Sequence, residues 1–369
     1  MLLDSEMIGF LPYMKKETIL TTPVPLRLVG PVLINSEDGS FEVDVPLATY
    51  ESPLWPSVRR GAAVTKYAGG ITTTITHDAM ARSVVFDART ARRALDLVSF
   101  CQLHRQLLFD LAQKTSTHLV CTDISCRIVG SCVYLRLSAT TGDASGHNMI
   151  TKASEAILQW ICQEFPDLHY ISVSGNYCTD KKVSSVNAIL GRGKSVVAES
   201  LISRKACQRY LKTSPEAICE LNTKKNLLGS IINGGVQSAN AHFANMLLAI
   251  FLSTGQDVAN IVEGSQGITF CEMRKDDLYF SVSLPNIIVG TCGNGKDIPS
   301  TKRALEGLGC LECRAPGKNS RRLAEITAAT VLCGELSLLA AQTRPGELVQ
   351  THMTLERNSS ETSCSRKKL

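Results

Sequence analysis

Between residues 83 and 173 the spacing of apolar positions changes repeatedly, and each change predicts an element. Ser83-Val-Val-Phe86 is a short apolar run of strand type. Ala94, Leu95, Leu97, Val98, Cys101 and Leu108 recur near helical spacing, which predicts a helix over 91–112. Residues 117–128 read as a strand and Val129-Gly-Ser131 as a turn. Val133, Leu135 and Leu137 then alternate with Tyr134, Arg136 and Ser138, the pattern of a half-buried strand. Asp143 is placed to cap the next helix, whose apolar stripe is Ile150, Ala153, Ile157, Trp160 and Ile161. Residues 168–173 form the last strand. The order is βαββαβ, the ferredoxin-like arrangement.

Material flanks this unit on both sides. The pattern therefore predicts an α+β protein. A large mixed α/β domain is built from 1–82 and 184–369, a small ferredoxin-like domain at 83–173 is inserted in it, and a loop at 174–183 connects the two. Helices are expected in the large domain over 196–212, 240–253 and 322–341. The polar tail 356–369, ending in Arg366-Lys-Lys, is expected to be disordered.

Composition narrows the classes. A chain of 369 residues can bury one large core or two moderate ones. With 44% hydrophobic and 20% charged residues it is an ordinary globular sequence, and a net charge of +5 is too mild for a dedicated nucleic-acid binder. An anionic small ligand fits that balance. The 14 cysteines are scattered, and Cys310-Leu-Glu-Cys313 has no partner pair to complete a zinc site. Acids stand near Met1 where a secretory signal carries bases, so unpaired thiols in the cytoplasm are expected. The apolar run Met246–Leu252 falls short of the ~20 residues that span a bilayer, and no membrane is expected.

Candidate chemistry gathers in a few segments. Ser174-Gly-Asn-Tyr-Cys-Thr-Asp-Lys-Lys182 is a charged loop after a strand, where a rigid element can aim a polar tip. Alone, its Asp-Lys-Lys triplet reads as a solvated turn; in a site, its lysine could hold a developing oxyanion. Thr141-Gly-Asp-Ala-Ser-Gly-His-Asn-Met149 puts two glycines at a helix start, suited equally to a plain cap or to phosphate. It is not a Rossmann fingerprint, since no G-x-G-x-x-G follows a strand. Gly290-Thr-Cys-Gly-Asn-Gly295 is a second glycine-rich loop. Glu51 follows a strand, Asp257 lies in a turn, and His352 stands near the tail.

Taken whole, the nonapeptide from Ser174 resembles the signature of the class I 3-hydroxy-3-methylglutaryl-coenzyme A reductases, in a form without their membrane anchor. The segment from Asp143 resembles that family's DAMGxNM, with Ser145 and His147 as changes. Gly290–Gly295 resembles its GTVGGGT, Leu47–Ser52 its ATTEG, and Asn240-Ala-His-Phe-Ala-Asn245 its NAHxAN. Gly334-Glu-Leu-Ser-Leu338 falls in the family's order, and the likeness runs from Pro23 to Met353.

The resemblance implies reduction of HMG-CoA to mevalonate and free coenzyme A with two NADPH or NADH. In that scheme Lys181 stabilises the oxyanion and Glu51 supplies a proton. Asp257 couples to both, and His352 protonates the coenzyme A thiolate. Asp143, Gly146, Asn148 and Met149 would contact the dinucleotide, with Ser116, Gly290 and Gly293 beside it. Arg82, Ser174, Asp180, Lys182, Lys225, His242, Asn245 and Leu338 would bind substrate, with Ser57 and Arg60 on the coenzyme A side. A homodimer or dimer of dimers with shared sites is implied. An acyl-coenzyme A-binding homologue without strong catalysis and a mevalonate-oxidising enzyme using NAD are the alternative readings.

Some positions depart from the family. Lys16-Glu-Thr-Ile-Leu20 stands where its ENxIG dimer motif belongs. Thr117 replaces an arginine that grips the NADPH 2′-phosphate, leaving Lys114, His118 or nothing for that task. Thr351 replaces a serine beside His352, and Asn358 occupies the regulatory phosphorylation position.

Overall fold

β1 (Leu26–Ser36) and β2 (Gly39–Ala48) form an antiparallel hairpin at the start of the computed structural model, which describes residues 22–354. Lys16–Leu20 and the tail from residue 356 lie outside the described residues. After α1 (Leu54–Tyr67) comes β3 (Ile71–Asp87), 17 residues long and shared by two groups of strands. Then follow α2 (Ala91–Leu103), α3 (Arg105–Gln113), β4 (Val120–Val129), β5 (Cys132–Thr140), α4 (His147–Glu164), β6 (His169–Ser172) and β7 (Gly193–Ile202). α5 (Phe243–Ser253), β8 (Ile268–Arg274), β9 (Asp277–Ile287), α6 (Lys318–Gln342) and α7 (Glu347–His352) complete the frame.

The first group runs β2-β1-β3-β7-β9-β8. β1 pairs parallel with β3 through Ile34 and Ile71, while its other pairings are antiparallel, so the sheet is mixed. Thr72–Ala79 of β3 pair with β7; Met80–Asp87 pair with β5 on one side and, from Val85 onward, with β6 on the other. β4 lies outside β5. Each stretch has its own core. One packs α1, α5 and α6 on the six-stranded path; the other packs α2, α3 and α4 on the second half of β3 and its neighbours.

α6 is the centre of the larger core. By length and composition it could cross a bilayer, with a mean hydropathy of 1.5 over its most apolar window, but 94% of that window is buried inside the molecule. α1 crosses it at Gly61, where a Cβ would run into the Cys333 carbonyl. Only a residue without a side chain lets the two backbones approach this closely.

Three elements differ from the sequence expectations. β3 begins twelve residues before Ser83; its first half escapes the apolar pattern because its inward position 73 is threonine rather than an aliphatic residue. Thr73 is buried and donates to Glu325 of α6 at 3.3 Å, so the strand is amphipathic with a polar contact in its core face. The expected helix over 91–112 is two helices that break at His104 (φ −103°, ψ 26°), whose ring lies against Phe100. The expected helix from Val196 is strand β7 up to Ile202. Val196, Ala198 and Ile202 enter the core at period two, and β3 and β9 flank the strand on both sides. Only from Arg204 does the chain turn helical.

Burial pushes the Glu325 carboxyl up to about 7. The folded state then holds a proton that the unfolded chain releases near pH 4.5. Stability from this group is present below that pH and lost as pH rises toward 7, by roughly 2–3 kcal/mol. Glu325→Gln should flatten this dependence, checked by urea unfolding at pH 5 and pH 8. Gly61→Ala should destabilise by about 1–3 kcal/mol through overpacking, read as a lowered denaturation midpoint.

Candidate active site

The loop Ser174–Lys182 is held in a conformation it would not take alone. Asn176 (φ 61°), Thr179 (φ 47°) and Lys181 (φ 56°) all occupy the left-handed region without being glycine, a cost that persists only where surroundings dictate it. From below, Asn187 Nδ2 donates to Thr179 O at 2.8 Å, and the Lys181 N–H donates to Glu263 Oε1 at 3.1 Å. Arg82, at the changeover of β3, donates to Ser174 Oγ at 3.3 Å and lies 3.8 Å from Asp180 Oδ2. Lys182 folds back to the Asp180 carbonyl at 3.1 Å.

Lys181 Nζ pairs with Asp257 Oδ2 at 2.8 Å. The hydrogen bond to Asp257 raises the Lys181 pKa. Burial alone would raise the Asp257 carboxyl, but the bonds from Lys181 and from the Ala259 N–H outweigh it and hold it low. Both side chains are 43% exposed, so the pair adds little stability and its value lies in orientation. Asp257 also caps the short turn after it.

That turn is docked on the second glycine loop. Gln256 and Gly290 exchange two bonds: Nε2 to the carbonyl at 3.0 Å and the Gly290 N–H to Oε1 at 2.9 Å. Lys296 Nζ donates to Gly255 O at 2.5 Å. The loop from Thr141 lies alongside, with Thr291 N–H on Asp143 O at 2.8 Å and a bridge between Ala144 and Cys292. Asp143 does not cap α4, as the sequence suggested. Its carboxylate accepts from the Gly317 and Ser320 N–H groups at 3.1 and 2.9 Å, at the start of α6. Gly146 caps α4 instead (φ 92°), where a Cβ would meet Thr141 at 2.6 Å, and no side chain caps that helix.

Asn148 is exposed and Met149 half-buried on the first turn of α4. Gly293 (φ 94°) faces open space. Ser116 Oγ accepts from the His118 N–H at 3.3 Å, and Lys152 of α4 reaches the Thr115 carbonyl at 3.2 Å. His147 bonds Ser145 through Nδ1 at 3.3 Å, while its buried Nε2 has no partner. Burial lowers its pKa, keeping the ring neutral.

A second group lines a cavity of about 390 Å³ between α1, α5, α6 and α7. Glu51 Oε2 accepts from Asn245 Nδ2 at 2.8 Å. His242 donates its backbone N–H to Glu335 at 3.1 Å, and its ring Nε2 lies 3.1 Å from Gly334 O. Glu335 is fully buried and also bonds Ala241 N, Thr269 Oγ1 and Asn226 Nδ2. Lys225 Nζ donates to Asn226 Oδ1 at 3.0 Å, which ties it to this network. Arg60 is occupied within the chain, bonding Ser337 and Glu347, and Ser57 bonds Ser337 Oγ at 3.1 Å. Leu338 and Thr351 line the wall, and His352 ends α7.

The candidates thus assemble in two groups. Among the described residues, no hydrogen bond or ion pair joins Glu51 to Lys181 or Asp257; Asn245 takes the one carboxylate and Lys181 the other. Arg192, Glu263, Gln256 and Glu335 were not picked out in the sequence. Glu335 sits inside the Gly334–Leu338 segment already singled out, but the first two are isolated charges with no motif around them.

Comparisons with known proteins agree on one family. The family model "Hydroxymethylglutaryl-coenzyme A reductase" matches residues 14–357. A 3-hydroxy-3-methylglutaryl-coenzyme A reductase of Pyrococcus horikoshii is 46% identical over 321 residues, covering 86% of this chain and 78% of that protein. Reductase 1 of Oryza sativa subsp. japonica is 43% identical over 342 residues, covering 91% of this chain and 63% of its own. Among solved structures, the class II enzyme of Streptococcus pneumoniae bound to NADPH superposes with a TM-score of 0.71, covering 90% and 88% of the two chains. At 20% identity that likeness carries the fold alone. A family match over nearly the whole length, with relatives this similar, makes the chain a member of the hydroxymethylglutaryl-coenzyme A reductase family.

Proposed function

We propose that this chain reduces HMG-CoA to mevalonate and free coenzyme A at the expense of two NADPH. The observation that carries this is Lys181, fixed on a strained loop and paired with Asp257, in a chain 46% identical to a protein named for that activity. NADPH is supported by the Streptococcus pneumoniae relative, which binds it. The residues here fit such a group: two glycine loops run side by side, the first turn of α4 has uncapped N–H groups, and a buried His147 nitrogen lacks a partner. Asn148, Met149, Gly146, Gly290 and Gly293 would hold it, with Ser116 beside Lys152, a cation near the site where Thr117 replaces arginine. When bound, the nicotinamide supplies hydride.

The chain's own residues do the rest. Lys181 holds the negative charge that develops on the substrate oxygen, and Asp257 keeps the lysine charged and aimed. Glu51 supplies a proton to the carbonyl oxygen. His352, on a helix bordering the Glu51 cavity, protonates the departing thiolate. Arg82, Ser174 and Lys182 engage the acyl carboxylate end, with Asp180 beside them on the substrate's polar side, while Lys225, His242, Asn245 and Leu338 line the thioester side, with Ser57 and Arg60 toward coenzyme A.

Several finer assignments belong to the same reading. The strand order β6-β3-β5-β4 with α2, α3 and α4 supports a ferredoxin-like cofactor unit inserted in the large domain. The higher identity to archaeal and plant relatives than to the class II structure supports class I. The separation of Glu51 from Lys181 supports a homodimer, or dimer of dimers, in which each copy completes the other's site.

Purified protein should oxidise NADPH only when HMG-CoA is present, and Lys181→Ala should lower kcat by about 10²–10³-fold. Folded protein with no turnover would overturn the reading. Because the Asp257 hydrogen bond raises the Lys181 pKa, Asp257→Asn should move the alkaline limb of kcat to lower pH, measured between pH 8 and 12.

A further inference from the structure

Beneath the loop that carries Lys181 lies a buried ion pair that no step of the chemistry uses. Glu263 and Arg192 are both fully buried, 3.0 Å apart. Glu263 Oε1 alone accepts three bonds: from Arg192, from the Lys181 backbone N–H at 3.1 Å and from Asn260 Nδ2 at 2.9 Å. The same Arg192 guanidinium lies 2.9 Å from Asp180, and its Nε bonds the Ala81 carbonyl of β3 at 3.4 Å. Asp180 and Lys181 are thus fixed from below through different handles, one by its carboxylate and the other by its main chain. Lys181 is also a residue whose backbone is in the left-handed region (φ 56°). A side chain with a Cβ stays there only where a specific bond holds it.

We propose that Glu263 and Arg192 are positioning residues for the reductase chemistry. Glu263 sets the backbone of Lys181, Arg192 sets the carboxylate of Asp180, and β3 is the base against which both are registered. The proposal rests on the reductase reading. Neither residue touches substrate; each acts through its neighbour on the loop. Burial raises the Glu263 carboxyl pKa, and the three donors on Oε1 oppose that. Around Glu263 the arrangement is therefore one of directed bonds from Lys181 and Asn260 as well as of the Arg192 charge.

That distinction supplies the test, made on the full chain with HMG-CoA and NADPH. Glu263→Gln keeps an oxygen at Oε1 but removes the charge. Glu263→Asp keeps the charge but draws the oxygen back by one methylene. A positioning role predicts that Gln stays within about threefold of wild-type kcat. Asp should lose at least about tenfold in kcat, with the KM for NADPH within twofold, because the glycine loops are held by other residues. A role as a plain buried ion pair predicts the reverse order.

Amide hydrogen exchange of the peptide around Lys181, in protein without ligands, gives a second readout. It should be about tenfold faster in Glu263→Asp and near wild type in Glu263→Gln. Wild-type kcat in Glu263→Asp, a parallel fall in kcat, cofactor affinity and melting temperature, or unchanged exchange would each overturn the proposal. If wild type itself fails to oxidise NADPH with HMG-CoA, the functional reading falls, and the exchange comparison still decides whether Glu263 sets Lys181.

Discussion

Two groups of strands share one rod, and that covalent constraint decides where chemistry can sit. β3 pairs with β7 up to Ala79 and with β5 from Met80. At the changeover stand Ala81, whose carbonyl receives Arg192, and Arg82, whose guanidinium reaches Ser174 and Thr151 of α4. A strand hydrogen-bonded along its length cannot bend freely there, so the loop and the start of α4 keep one separation. Asp143 adds a second tie, joining the loop before α4 to the first turn of α6. An acid at a helix N-terminus is favourable in its own right, so the tie costs little.

Periodicity made the smaller unit legible because its buried positions are almost all aliphatic. Val133, Leu135 and Leu137 enter one core, and Ile150, Ala153, Ile157 and Ile161 follow the α4 stripe into the same cluster. It failed where polar residues occupy inward positions. Thr73 hid the first half of β3, and Val196–Ile202 read as helical because small and β-branched residues pack as well in a fully flanked strand. The candidate site was legible only through its loop motifs, which singled out Lys181 and Asp257, a pair in the fold, and Glu51 and Asn245, a second and separate pair. The residues that hold those loops were not legible. Arg192, Glu263 and Gln256 act through contacts between segments far apart in sequence, and a lone buried charge looks no different from a surface one until the fold is known.

Buried charges of this kind contribute little to stability. Removing two ions from water costs several kcal/mol each, and apolar residues of similar volume commonly do as well or better. Yet Arg192 and Glu263 lie beneath the Ser174–Lys182 loop, and Glu335 lies at the N-terminus of α5, where it bonds the Ala241 and His242 N–H groups. In each case the carboxylate receives several donors from separate segments. Hydrophobic packing tolerates small slips between surfaces, whereas a carboxylate with several donors fixes both direction and distance. Among the described residues, Glu263 and Glu335 are the two carboxylates in this interior that hold a loop in this way.

The same logic reaches Asp257 by a different route. Gly255 and Gly295 meet backbone to backbone: a Cβ on the first would come within 2.6 Å of the Gly295 carbonyl, and both have positive φ. No side chain fits between them, so the turn bearing Asp257 lies directly on the glycine loop. Gln256 locks that contact through its two bonds to Gly290, and Lys296 through the Gly255 carbonyl. Burial lowers the Lys296 pKa, a penalty accepted for a donor that spans both segments. Asp257 and the glycine loop are therefore one body, and the Lys181–Asp257 distance is referenced at one end to β3 and at the other to that loop. A shift of the glycine loop relative to β3 therefore falls on the ion pair, where the four-carbon stem of Lys181 spans the two bodies.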